Sequence, residues 1–448
     1  MITVIGGGPA GRIAAMRLAS YGKEVLLFDS RKEGLGGQCL HQGCMVICAQ
    51  NDAARACEEV RDLNRFGITD SRPAIDYASL QERMTDIQGT IAGVLDTETT
   101  DAGVTVKSEH ARVEGNRVYS GGIEYESEAV LIATGSVPRI PAIPGTGLPG
   151  VYTAHSLALL RRSPRRMVII GSGVIAAEYA YIFHAAGADV TIIARSTLLR
   201  GFPEPVVKGA RRDLAGVHIH EETEVVAIEG TDTVTGVLVR NGGNEEIIPC
   251  DTVLIAAGLV PRTEGISGIA HGPGGEILVN EWMETSVPGV YAAGDVTGPP
   301  YLTPLARREG RTAADAILGL PLKPSPACIP QTIKLRHEHS LAIRPDAEGN
   351  GITIPSPAGP GSFWLVPDRH TGRSLLMTDK TTGKMTGFYE AAPQSSSAAG
   401  YLAYLINSGV SVDTMDLFTE VHPSSEGVAW LTRYCAEQRE NREFTEKK

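Results

Sequence analysis

The chain predicts an α/β fold with two Rossmann-like nucleotide-binding units and a further C-terminal α/β portion. Three observations lead there. A strand, a glycine-rich turn and a helix succeed one another at the N-terminus. The same succession returns at Gly171. The last third carries strand and helix patterns without such a turn.

The first unit opens with residues 2–5 (ITVI), a short buried strand. Gly6-x-Gly8-x-x-Gly11 follows, then an apolar-periodic stretch from Ile13 to Leu18 that predicts a helix. Val25–Phe28 is the next strand and ends at Asp29. Glycines at 6 and 8 let a pyrophosphate approach the backbone at a helix N-terminus. Gly11 lets the helix lie close to the strand, and Asp29 is placed for ribose hydroxyls.

In the second unit Met167–Ile170 is the strand, Gly171-x-Gly173-x-x-Ala176 the turn, Ala176–Ala185 the helix and Val190–Ile193 the next strand. That strand leads into Arg195 with no acid. An acid there favours NAD, and a nearby arginine meets a 2′-phosphate, so Arg195 and Arg200 point to NADPH before NADH.

Between the units, Val130–Ala133 runs into Thr134-Gly135 and a proline-rich crossover ending at Gly145. Val253–Gly258 closes the second unit, and Gly289–Thr297 carries Gly294-Asp295. In the tail, Phe363–Val366 and Ser374–Met377 predict strands, and Ser396–Ile406 predicts a helix.

Composition narrows the class. The 448 residues, at roughly 150 per domain, suggest about three domains. Lys plus Arg total 41 against 52 acids, a net charge of −11, which disfavours nucleic-acid and anionic-membrane partners. With 42% apolar and 21% charged residues, the chain is globular, not disordered or fibrous. Glycine is in excess, 51 residues, and the two turns take up part of it. No apolar run is long enough to span a bilayer. The apolar start is too short for a signal peptide, so the expectation is a cytoplasmic protein.

The seven cysteines are too few and too unevenly placed for a secreted disulfide framework. Three of them, Cys39, Cys44 and Cys48, fall within ten residues. In a reducing compartment such a cluster reads as redox, metal-binding or catalytic. A five-residue offset in one ideal helix leaves Cα atoms roughly 8–9 Å apart, whereas a disulfide needs roughly 4.4–6.8 Å. Cys39 and Cys44 can therefore pair if Cys39 sits on an irregular turn ahead of the helix, with Gly36, Gly37 and Gly43 supplying the freedom. A metal set of Cys39, His41, Cys44 and Cys48 fits no common zinc spacing, and no metal site is assigned. Reduced structural cysteines are the remaining reading.

The chain resembles the flavoprotein pyridine nucleotide-disulfide oxidoreductases of the dihydrolipoamide dehydrogenase, glutathione reductase and mercuric reductase type. The motifs that carry the resemblance are GGGPAG (6–11), GGQCLHQGC (36–44), ATGSVPRIPAIPG (133–145), GSGVIAAE (171–178) and GVYAAGDVTG (289–298). It covers residues 1 to about 320 closely and the last third more loosely. The segment Ile193–Leu198 is similar to mercuric reductases, which use NADPH.

The resemblance implies interleaved domains: an FAD domain from 1–149 and 276–325, an NAD(P) domain from 150–275, and an α/β dimerisation domain from 326–448. Gly6, Gly8, Pro9, Ala10, Gly11, Asp29 and Ser30 would hold the ADP half of FAD. Gly37, Gln38, Ala111, Ala133, Thr134, Gly135, Gly294 and Asp295 would complete the FAD site. Leu302 and Thr303 would begin a helix aimed at the flavin. Gly171, Gly173, Ile175, Arg195, Arg200 and Gly258 would line the nicotinamide nucleotide site. Hydride from NADPH would reduce the flavin and then a Cys39–Cys44 disulfide, Cys39 facing a small-molecule or protein disulfide. His422, paired with Glu426 and reaching across a homodimer, would be the base.

The chain departs from the family in four places. Cys48 stands where the family has a lysine that pairs with a glutamate, here Glu178. A carboxylate buried without that partner must be protonated, re-paired or hydrated, and Cys48 becomes a candidate third redox thiol. Glu426 lies one residue closer to His422 than in the family. Ile329–Lys334 and the pair His337 and His339 replace a Phe-Thr-x-Pro-type strand, and both histidines are expected to be solvated loop residues. No C-terminal Cys-Cys pair is present, which argues against a mercuric reductase. Two other functional readings stay open: reduction of a non-disulfide acceptor such as a quinone, oxygen or a metal ion, and a non-catalytic redox-sensing flavoprotein.

Overall fold

The computed structural model describes residues 1–323, 325–347, 352–353, 366, 371–415, 418–419 and 427–446. The chain divides into two compact units. One comprises Met1–Gln50, Asp76–Gly171 and Thr223–Pro324, and the other Asn51–Ile75, Ser172–Glu222 and Ser325–Lys448.

The first unit is organised by a five-stranded parallel sheet. Its order is Val290–Ala292, Ala129–Ile132, Ile2–Ile5, Val25–Phe28, Val104–Lys107. Three of these strands are uninterrupted apolar runs, and Ile2–Ile5 is broken only by the buried Thr3, because both faces are covered. Ile2, Val4, Leu27 and Leu131 pack on the helices Pro9–Ser20 and Thr303–Ile317 through Ala14, Leu18, Ala313 and Ala314. Ile5, Leu26, Phe28, Val130 and Ile132 face the other way, onto Val113 and Val118 of a smaller sheet.

Glycine at Gly6 is dictated twice. Its φ is 106°, and a Cβ there would lie 2.3 Å from the Ala133 carbonyl oxygen. A Cβ on Gly11 would lie 2.0 Å from the Gly6 carbonyl oxygen. The strand, turn and helix can follow one another this tightly only without side chains at those points. In the same unit, Arg166–Ile170 pairs in parallel with Thr252–Ile255, which pairs in parallel with Val151–Thr153.

In the second unit, the helix Val174–Ala185 and the parallel pair Asp189–Ile193 and His218–His220 continue the second nucleotide-type succession. The tail forms a five-stranded antiparallel sheet, in the order Gln331–Lys334, Glu338–Ile343, Met385–Ala392, Arg373–Thr378, Ile352–Thr353. Helices Ser395–Asn407 and Val428–Glu446 bury Ala399, Leu402, Ile406, Leu431 and Cys435 with Leu376 and Phe388 of that sheet. The strand expected at Phe363–Val366 lies mostly outside the described residues, and Val366 itself is in a turn. Among the described residues no helix is long and apolar enough to cross a membrane.

The expectation that His337 and His339 are solvated is overturned. They are 4% and 1% exposed. The cause is Asp213, the buried last residue of the helix Glu204–Asp213. The ring of His337 bonds Asp213 Oδ1 at 2.9 Å, and its backbone N–H donates to Oδ2 at 2.8 Å. His339 bonds Oδ2 through Nε2 at 2.8 Å and the Tyr389 hydroxyl through Nδ1 at 2.9 Å. A carboxylate that satisfies two imidazoles removes the cost of burying them.

Burial alone would raise the Asp213 carboxyl, but the imidazoles outweigh it and hold the group well below the usual carboxylate range. A folded-state value below the unfolded one contributes stability above roughly pH 4 that drains away as pH falls. Asp213→Ala should therefore lower the unfolding free energy by about 3–5 kcal/mol at neutral pH. Urea melts should show that deficit shrinking toward acid pH.

Candidate functional site

The cysteine segment is two helices, not one. Cys39 lies in the short helix Gly37–His41 and Cys44 is the first residue of the long helix Cys44–Arg65. Gln42 and Gly43 break them. The approach turns at Gly36 (φ 118°) and Gly37 (φ 60°), both in the left-handed region. Cys39 was expected on an irregular turn; the structure puts it on a helical turn with the irregularity just after it.

That break brings the two thiols together. Cys39 and Cys44 hydrogen-bond to each other, and Cys44 Sγ lies 3.7 Å from Thr303 Oγ1. All seven cysteines are present as thiols. The bond with Cys44 is the largest influence on Cys39 and lowers its pKa. Burial opposes it, while the Thr303 hydroxyl and the Arg307 charge add to the lowering, and a charge on Cys48 works against it. The outcome is a Cys39 thiol pulled down to about 6, in the range of reactive cysteines. Cys44 moves the other way, pushed above the usual thiol range by the Cys39 bond first and then by crowding around its sulfur, although the residue keeps exposed surface. The arrangement favours the thiolate on Cys39 and the proton on Cys44.

The influence of Thr303 and Arg307 on the thiols does not show directly in the sequence. Thr303 was expected to begin a helix aimed at the flavin and to help hold that cofactor, and it does begin the helix Thr303–Ile317. Arg307 follows four residues later on the same helical face, and that spacing was the available signal.

The residues expected to hold FAD converge in the first unit and fit such a group. Gly8 precedes the helix Pro9–Ser20 with no side-chain cap, leaving first-turn N–H groups for an anion. Asp29 accepts the Gly7 N–H at 2.7 Å and the Arg31 N–H at 2.9 Å, and Ser30 beside it is exposed. Gln38 and Ser136 donate to Asp295 Oδ2, whose carboxyl is raised by burial despite both bonds. The Gln38 carbonyl oxygen Oε1 is buried without a partner, an acceptor waiting for a ligand donor. The Thr134 hydroxyl donates to the Arg262 carbonyl at 2.6 Å, the Gly135 carbonyl accepts from Arg262 N–H at 2.8 Å, and the Gly294 N–H donates to Glu309 at 2.7 Å. Ala111 begins a strand, Ala111–Glu114, and Leu302 precedes the Thr303 helix.

The candidates for the second nucleotide are placed less densely. A Cβ on Gly171 would lie 2.1 Å from the Ala256 carbonyl oxygen, while Gly173 and Gly258 face open space. Ile175 is half-buried, and Arg195 and Arg200 are exposed.

Glu178 is buried in the second unit and accepts the Lys334 backbone N–H at 2.8 Å. That bond meets part of the hydrogen-bonding demand of the buried carboxyl. Cys48 is half-buried. His41 directs Nε2 at the Gly34 and Leu35 carbonyls, each at 3.2 Å. Among the described residues no group of three or more His, Cys, Asp or Glu is arranged to hold a metal ion. His422 and Glu426 lie outside the described residues.

Alkylation of the reduced protein checks the thiol asymmetry. Cys39 should react with iodoacetamide along a pH profile centred near 6, with Cys44 unreactive across neutral pH. Thr303→Val should move the Cys39 midpoint upward.

Comparison with known proteins identifies the family and the fold. The family profile described as pyridine nucleotide-disulphide oxidoreductase matches residues 1–310. A dihydrolipoyl dehydrogenase of Bacillus subtilis (strain 168) is 28% identical over 443 residues, covering 94% of this chain and 95% of its own. One from Acholeplasma laidlawii is 30% identical over 331 residues, covering 71% and 96%. A mercuric reductase of Staphylococcus aureus is 26% identical over 454 residues, covering 95% and 81%. Among solved structures, the HOCl-induced flavoprotein disulfide reductase RclA from Escherichia coli superposes with a TM-score of 0.84 at 23% identity, covering 97% and 99%. LpdA from Mycobacterium tuberculosis does so with 0.84 at 24%, covering 97% and 99%. At these identities the structural likeness speaks for the fold.

Proposed function

The chain belongs to the pyridine nucleotide-disulphide oxidoreductase family, and from that premise we propose that it is a homodimeric, cytoplasmic enzyme. In this reading it carries electrons from NADPH through FAD and the Cys39–Cys44 pair to a low-molecular-weight or protein disulfide. Membership makes it an oxidoreductase and implies FAD and a pyridine nucleotide as its cofactors. The observation that carries the finer reading is the meeting of Cys39 and Cys44 beside Thr303, with Cys44 Sγ 3.7 Å from Thr303 Oγ1, in surroundings that lower the Cys39 thiol and raise that of Cys44.

When bound, FAD and the nucleotide supply hydride chemistry. The glycine turn at Gly6–Gly11, with Asp29, would hold the ADP half of FAD, and Gln38 and Asp295 its polyol chain. Residues 1–149 with 276–325 would form that domain, 150–275 the nucleotide domain and 326–448 the dimerisation domain. Arg195 and Arg200 favour the 2′-phosphate of NADPH.

The chain's own chemistry is thiol–disulfide exchange. The Cys39 thiolate attacks one sulfur of the substrate disulfide, forming a mixed disulfide and releasing a thiolate that takes a proton from His422. Cys44 then gives its proton to His422 and attacks Cys39 Sγ, closing the Cys39–Cys44 bond as the second substrate thiolate leaves. Glu426 would orient His422. Thr303 and Arg307 would stabilise the negative charge on Cys39 up to its attack, where that charge passes to the departing thiolate. The dihydrolipoyl dehydrogenase relatives and the thiol pair favour this reading over a non-disulfide acceptor or a non-catalytic role.

The homodimer is supported by exposed aromatics on the tail helices. Tyr404 is 69% and Trp430 62% exposed, with Tyr434 one turn beyond Trp430 also exposed. Trp430→Ala combined with Tyr434→Ala should weaken self-association in sedimentation velocity.

A panel of disulfides and quinones assayed with NADH and NADPH tests the activity. Disulfide turnover lost in Cys39→Ser supports it; full retention contradicts it. Arg195→Ala with Arg200→Ala should lower kcat/KM for NADPH about tenfold or more relative to NADH, the size expected for lost charge-assisted bonds. An unchanged ratio would remove the NADPH assignment.

A further inference from the structure

We propose that Cys48 is a third redox-active sulfur. It exchanges with the Cys39–Cys44 disulfide, so the oxidised protein interconverts between a Cys39–Cys44 and a Cys44–Cys48 linkage. The proposal rests on the reading of Cys39 and Cys44 as the redox pair.

The geometry begins with the Cys44–Arg65 helix, which holds both later cysteines. Four residues apart on one helix, they share a face, with Cα atoms about 6.2 Å apart by helix geometry. That lies inside the roughly 4.4–6.8 Å window of a disulfide. Cβ atoms at this offset sit about 5–6 Å apart, wider than the roughly 3.5–4.5 Å a disulfide prefers. The link must therefore loosen the first turn. Cys44 is where that is cheapest, because it is the first helical residue and the opening N–H groups of a helix have no intrahelical carbonyl to lose. Cys39, on the preceding short helix, already touches Cys44 and feels the charge of Cys48. Cys44 thus lies between Cys39, its hydrogen-bond partner, and Cys48, one helical turn further on.

The chemistry balances within the protein. The Cys48 thiolate attacks Cys44 Sγ, and the Cys44–Cys48 bond forms as the Cys39–Cys44 bond breaks. The electron pair departs on Cys39, and the proton given up by Cys48 passes to water. No external oxidant or reductant takes part. The direction of the exchange depends on which of Cys39 and Cys48 is the better leaving thiolate, and the Thr303 hydroxyl and the Arg307 charge favour negative charge on Cys39. The exchanged form stores the oxidising equivalent at Cys44–Cys48 while leaving Cys39 a free nucleophile. The lysine expected at this position would forbid such a form.

Acid quenching of the oxidised holoprotein, maleimide labelling under denaturing conditions and peptide mapping test this. The expected result is two classes of chain. In one, Cys48 carries maleimide and Cys39 and Cys44 are protected. In the other, Cys39 carries maleimide and Cys44 and Cys48 are protected. Cys48→Ser should abolish the second class. In Cys39→Ser, oxidation with diamide should protect Cys44 and Cys48 together. Maleimide on Cys48 in every oxidised wild-type chain overturns the proposal, as does full labelling of both Cys44 and Cys48 in Cys39→Ser after diamide. If wild type shows no Cys39–Cys44 linkage, the redox-pair reading fails instead, and the Cys39→Ser measurement still decides the Cys44–Cys48 link.

Discussion

Five residues separate Cys39 from Cys44, and no single regular helix brings sulfurs at that offset into contact. The break at Gln42 and Gly43 removes the obstacle, and the site is arranged around it. Cys39 ends up on its own short helix and Cys44 at the start of a long one. Their hydrogen bond is the largest single influence on each thiol, and it acts in opposite directions on the two. Burial pushes Cys39 up, and the Cys44 bond, with help from Thr303 and Arg307, outweighs it. The balance favours the thiolate on Cys39 and the proton on Cys44.

The surroundings make that asymmetry durable. The helix Thr303–Ile317 brings a hydroxyl and a guanidinium to the thiols, and the same helix packs against the first glycine-turn helix on the parallel sheet. A rigid scaffold therefore fixes both the nucleotide-type turn and the groups that tune the sulfurs. The close approach of Gly6 to Ala133 serves the same end, since it sets where the strand, the turn and the crossover meet.

Much of this was legible in the sequence, for a physical reason. Glycine turns announce themselves because close backbone approach tolerates nothing else, and fully buried parallel strands read as unbroken apolar runs. So Gly6–Gly11, Asp29 and the strands Ile2–Ile5, Val25–Phe28 and Arg166–Ile170 could be placed directly. Contacts made by chain folding could not. Thr303 meets Cys44 from far along the chain, and Asp213 hides between two histidines whose own neighbourhood, Lys334 to Ser340, looks polar and loop-like. The Lys334 N–H that Glu178 accepts was equally invisible, because a backbone N–H is present at nearly every residue. Cys48 is the reverse case: its place stood out in the sequence, and the helix then gave it a plausible chemistry.

The central claim is that Cys39 and Cys44 together accept an electron pair beyond the one the flavin accepts. Anaerobic reductive titration of the FAD-loaded protein measures this most directly. The account predicts that the wild type takes up twice the electrons its flavin alone can hold, and that Cys44→Ser takes up only the flavin's share. Equal uptake by the two proteins would contradict it.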